Sequence, residues 1–116
     1  MNYYDYPATA IIGSDGVVTG VNDIWHTAAS ANPADVFLQS SVDDNYFDNL
    51  VLAAESHNVF AVKVLEGIES VLTEEFDSFE MNYFAQNGSS ECRFRINISP
   101  VNGLPDKLVV CRRLLD

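Results

Sequence analysis

Basic residues are scarce in this chain. Six lysines and arginines face 17 aspartates and glutamates, for a formal net charge of −11 at pH 7. A field of that sign repels phosphate backbones and anionic headgroups, so neither nucleic acid nor a membrane surface is expected as a partner. Long apolar runs are missing as well; none approaches the roughly 20 residues that span a bilayer. The opening "MNYYDYPATA" has no basic stretch followed by an apolar one, so no secretory leader is read there. Cysteine is limited to Cys92 and Cys111, with no CxxC pair. That usage does not suggest a disulfide framework, and a cytoplasmic location is expected. Histidine is limited to His26 and His57, which form no zinc-like spacing with the two cysteines. Phosphate-cradling glycine loops are absent, because Gly13, Gly16 and Gly20 lead from one strand into another. No repeat or Pro/Gly/Ser-rich linker divides the chain. What is present is ordinary globular composition, 47% hydrophobic over 116 residues, enough for one domain with one core.

Periodicity places the elements. "TAIIGS" and "VVTGV" are short β-branched runs separated by Asp15-Gly16, a hairpin signal because the tight turn needs positive φ. Asn22 is a favoured N-cap, and Ile24, Trp25, Ala28 and Ala29 share one face of a helix ending near Asn32-Pro33. The stretch "ADVFLQSSVDD" reads as mobile, and "YFDNLVLAAES" as a second short helix. From about Asn58 to Thr73, Ala61, Val64, Leu65, Ile68, Val71 and Leu72 form a single helical stripe. Gly67 inside that helix points to close packing, since glycine there costs about 1 kcal/mol against alanine. Strand alternation follows: Phe79, Met81 and Tyr83, then Cys92, Phe94, Ile96 and Ile98, then "KLVVCRRLL". The order β-β-α-α-α-β-β-β predicts an α+β fold, a five-stranded antiparallel sheet with helices packed on one face.

With that order, "AIIGSDGVVTGVNDIW", "NYFDNL", "VLEGIESVLTEEFDSFEMNYF" and "RFRINISPV" resemble the PAS domain family, over nearly the whole chain from about Tyr6 to Leu114. The resemblance implies residues 1–6 as an N-terminal extension and 7–116 as a PAS-like sensory domain. It also implies a sensory or dimerisation module working with a kinase, cyclic-dinucleotide or transcriptional output domain, and a homodimer is expected. Two positions depart from the pattern. Leu114-Leu115-Asp116 follows Arg112-Arg113 where many members read Asp-Ile-Thr, and Arg93 stands where this subgroup often carries tryptophan. Both bear on coupling to an output domain, and the chain could be a piece of a longer sensor.

In such a family a small ligand would sit between the helices and the inner sheet face. The residues expected to line that space are Trp25, Phe47, Leu50, Val64, Leu65, Ile68, Phe94 and Ile96. Plain core packing is the competing reading for all of them. No cofactor is predicted, although haem and flavin stay open. His57 lies at the start of the long helix rather than on its stripe, which suits a solvated or capping role better than haem ligation. Cys92 falls in a strand, unlike a flavin-reactive cysteine in the helical region. Arg93 or Arg95 could offer a cation to an acidic ligand, but a solvent-facing strand arginine is the commoner case. The three tyrosines of "MNYYDYP" suit packing on the outer sheet face or on a second subunit. No catalytic constellation is present, and no enzyme is expected. The two readings left are a ligand-binding sensory domain and a ligand-free interaction module.

Overall fold

A computed structural model describes residues 7–87 and 90–115. The N-terminal tyrosine segment lies outside them. Strand β1, Ala8–Gly13, turns through Asp15-Gly16 into β2, Val18–Val21. Gly16 has φ 92°, and a Cβ there would also collide with the Phe47 ring, so glycine is required twice over. Helix α1, Asp23–Ala31, starts where Asn22 Oδ1 accepts the Trp25 N–H at 2.9 Å. The same Asn22 oxygen accepts the Thr9 N–H at 3.0 Å, and its amide donates to the Pro7 carbonyl at 3.1 Å. One side chain thus caps the helix and ties it to the first strand. Helices α2, Tyr46–Glu55, and α3, Val59–Leu72, are likewise capped by Asn45 and Asn58.

Strands β3, Phe79–Asn87, β4, Ser90–Val101, and β5, Leu104–Leu114, complete an antiparallel sheet in the order β2-β1-β5-β4-β3. The sheet and helix order therefore follow the sequence reading. Inward positions carry the core: Ala8, Ala10, Ile12, Val18, Tyr83, Phe94, Ile96, Ile98, Leu108 and Val110. The α3 stripe packs over them through Ala61, Val64, Ile68 and Val71, whereas Leu65 is half-buried and Leu72 lies at the exposed end. Gly67 faces the sheet so closely that an added Cβ would stand 2.3 Å from the Phe79 ring. The packing inferred from that glycine is present.

The stretch expected to be mobile is ordered. It contains a 3-10 turn, Val36–Leu38, whose N-cap Asp35 accepts the Phe37 N–H at 3.0 Å. Asp35, Phe37, Leu38 and Ser40 are all buried. Gln39 Nε2 donates to the carbonyls of Ala29, Asn32 and Asp35, gathering the end of α1 and the turn. Side-chain to backbone bonds of this kind leave no periodic trace in a sequence.

Candidate functional site: a buried ion pair between sheet and helices

The inner face of β5 runs Leu108, Val110, Arg112. Strand alternation therefore aims Arg112 inward, between Ile96 of β4 and Ala8 of β1 in register. Its guanidinium lies over the Phe94 ring, 3.5 Å from the centroid. Nη2 meets Asp35 Oδ2 at 3.0 Å, and the two side chains are 6% and 0% exposed. Tyr83, brought opposite Phe94 by the β3–β4 register, completes the set. Its hydroxyl donates to Asp35 Oδ2 at 2.8 Å and accepts from Arg112 Nε at 3.3 Å. With the Phe37 amide, the Asp35 carboxylate has three donors. The centre between sheet and helices is therefore an ion pair with its hydrogen bonds made, the arrangement under which buried charge is tolerated.

Aromatic rings surround it. Phe37 meets Tyr83 edge-on at 4.7 Å between centroids, and Tyr83 meets Phe94 at 5.7 Å. Tyr46 donates its hydroxyl to the Phe37 carbonyl at 3.0 Å, and Trp25 tilts against it at 6.2 Å. The Trp25 indole N–H donates to the Ser40 carbonyl at 3.0 Å, just past the 3-10 turn. Beside that turn a surface cleft of about 300 Å³ opens between Trp25, Ala29, Leu38 and Ser40.

Both buried phenols are held neutral far above their ordinary range. For Tyr83 the causes are burial first and the Asp35 charge second, opposed by Arg112; for Tyr46 they are burial, then Asp35. Below about pH 10 the phenols are neutral folded or unfolded, and their contribution is complete. Above it the unfolded chain releases these protons while the folded chain keeps them. Stability then falls by about 1.4 kcal/mol per pH unit for each phenol. We expect alkaline unfolding in which these two phenols ionise together with loss of structure, followed by ultraviolet absorbance and circular dichroism. Ionisation of both well before unfolding would contradict their burial.

No family model and no curated protein matches the sequence. Solved structures do match it. A sensory box sensor histidine kinase from Vibrio cholerae superposes with a TM-score of 0.61 at 16% identity, over 94% of this chain and 81% of that one. The PAS domain of Bordetella pertussis BvgS gives a TM-score of 0.62 at 10% identity, over 95% and 77%. The Cronobacter turicensis RpfR quorum-sensing receptor PAS domain, solved in complex with BDSF, gives 0.58 at 13% identity, over 96% and 95%. The chain has the PAS fold. At these identities the likeness is one of fold and leaves the ligand open.

Within this PAS fold the residues expected to line a pocket occupy one interior. Trp25, Leu50, Val64, Ile68, Phe94 and Ile96 are buried, while Phe47 and Leu65 are half-buried at its margin. Of these, Phe94 lies under the Arg112 guanidinium, and Ile96 is the cross-strand partner of Arg112. The inward cation is Arg112. Arg93 and Arg95 lie on the outer face, where Arg95 bonds Asn82 at 3.0 Å and meets Glu80 at 3.5 Å. The alternation Leu108, Val110, Arg112 carried that signal, but Arg112 had counted only as part of a departure at the strand's end. Asp35 had no signal, because its segment has no period. His26 and His57 are exposed. His57 has φ 70° in the turn before α3, off the pocket side. Cys92 and Cys111 are free thiols, and no cluster of three or more potential metal ligands occurs among the described residues. No helix among them is long and apolar enough to cross a membrane.

Proposed function

We propose that this chain is a non-catalytic sensory signalling domain, cytoplasmic, spanning residues 7–116. Its interior responds to a small molecule, and the change is passed to a kinase, cyclic-dinucleotide or transcriptional output domain, or to a partner chain. One observation carries the reading. Asp35, on the irregular segment between α1 and α2, is bonded across the interior to Arg112 of the sheet. Packing alone would be served by apolar side chains here, often at no loss of stability. A charged link between two layers instead supplies something a ligand can change, and a ligand acts only by binding two states unequally. Trp25, Phe47, Leu50, Val64, Leu65, Ile68, Phe94 and Ile96 form the walls. The RpfR PAS domain, solved with BDSF and with C12:0, supports the idea that this architecture accommodates a ligand.

The second reading is a ligand-free interaction module acting as a homodimer. The filled interior favours it, with Tyr46, Leu50, Val64 and Ile96 fully buried. So do Leu52 of α2 and Val59 of α3, which are 62% and 63% exposed. Native mass spectrometry and absorbance of the purified chain separate the two. A retained ligand mass, or the colour of a flavin or haem, is expected from the sensory domain. A clean dimer mass with no Tm shift across a metabolite panel would sink the sensory reading and favour the module.

A further inference from the structure

Resting on the sensory reading, we propose that the ligand is a monocarboxylate with an apolar body, which takes the place of the Asp35 carboxylate on Arg112. The occupant already seated there defines the chemistry. The segment after α1 inserts one carboxylate, Asp35, together with the Phe37 ring and the Leu38 side chain, all buried. In effect it is a plug made of an acid and an apolar body. Arg112 is prepared to receive a carboxylate: its guanidinium lies over the Phe94 ring, and Tyr83 aims its hydroxyl at the same carboxylate oxygen.

Exchange within this class leaves no charge stranded. The incoming carboxylate satisfies Arg112 and the Tyr83 hydroxyl, while Asp35 moves to water and regains its hydration. A neutral ligand that broke the pair would leave a buried guanidinium without an anion, the outcome buried ion pairs resist most. The apolar body would replace Phe37 and Leu38 in the core they share with Leu50, Val64 and Phe94, where Phe37 now meets the Tyr83 ring.

The plug is also held in a way that permits release. Backbone bonds within it are local, Asp35 N–H to the Asn32 carbonyl and Leu38 N–H to the Asp35 carbonyl. Its longer ties are side-chain ones: Asp35 to Arg112 and Tyr83, the Tyr46 hydroxyl to the Phe37 carbonyl, the Trp25 indole to the Ser40 carbonyl, the Asn49 amide to the Ser40 hydroxyl, and the Gln39 amide to the Ala29 carbonyl. At its root Asn32 Oδ1 is buried with no hydrogen-bond partner among the described residues. Opening would return that acceptor to water. The cleft between Trp25 and Leu38 lies beside the plug and offers the ligand an approach.

Trp25 is the single tryptophan and reports on the plug directly. Titration of the full chain with octanoate and with phenylpropionate should give a saturable change in its fluorescence and a rise in Tm. Octanamide and phenylpropanol should give neither. Asp35→Asn removes the internal competitor, so it should bind the acids at least tenfold more tightly. Asp35→Asn combined with Arg112→Met carries neither charge and should bind none. Equal binding of acids and neutral analogues, or acid binding that survives in the double variant, would overturn the carboxylate assignment and leave the sensory reading standing. No binding of any compound by wild type or by Asp35→Asn, together with a ligand-free mass and an unresponsive metabolite panel, would overturn both.

Discussion

Arg112→Met should lower the stability of this domain by about 3–5 kcal/mol, the usual consequence of leaving one member of a buried ion pair alone. Against a typical total of about 5–15 kcal/mol, that is enough to bring some of the molecules to the edge of unfolding. The reason is local. Asp35 has no exposed side-chain surface, so its carboxylate cannot recover by hydration unless the segment after α1 lifts away. Adding Asp35→Asn should restore most of the loss. An amide at 35 still accepts the Phe37 N–H as a cap and still offers Tyr83 a hydrogen bond, but leaves no charge behind. Urea denaturation of the wild type, both single variants and the double variant gives the coupling energy of the pair. A loss under 1 kcal/mol in Arg112→Met, or no recovery in the double variant, would show that the pair is not desolvated as described.

Phe94→Ala should cost about 3–5 kcal/mol, the range for truncating a buried aromatic. Phe94 is 1% exposed and sits between Tyr83 and the Arg112 guanidinium, so truncation leaves a void and also removes the surface on which the cation lies. Phe94→Leu separates the two effects. Leucine fills much of the volume but has no π face, and the desolvated cation–π contact alone is worth about 2 kcal/mol. We expect the leucine variant to lose about half of what the alanine variant loses. In an Asp35→Asn/Arg112→Met background the difference between phenylalanine and leucine should shrink, because the cation is gone. If that difference is unchanged there, packing explains all of it and the guanidinium contact contributes nothing.

These two variants mark the boundary between what was legible in the sequence and what was not. Phe94 was legible: it alternates with Arg93 and Arg95 on a strand, and that period places it inward. The hairpin glycine, the asparagine cap of α1 and the stripe of α3 were legible for the same reason. Each reports a requirement on the backbone within a few residues, whether a positive φ, an unpaired N–H at a helix start or one face turned to the core. Arg112 was half legible. Its strand parity points inward, but an arginine is read by default as facing water, and nothing nearby contradicts that default.

By itself the sequence determined the order of elements, the antiparallel sheet with helices on one face, and the set of apolar residues between them. Tertiary structure alone decided what fills their centre. Asp35 and Arg112 are 77 positions apart, on an aperiodic segment and on the last strand. They meet because the β1–β5 and β4–β5 registers bring Arg112 to the middle of the sheet while Gln39 and the Asp35 cap fold the segment down over it. A charge becomes affordable in a core only when its partner is delivered to hydrogen-bond distance. That delivery is a property of the whole fold, with no local pattern to announce it.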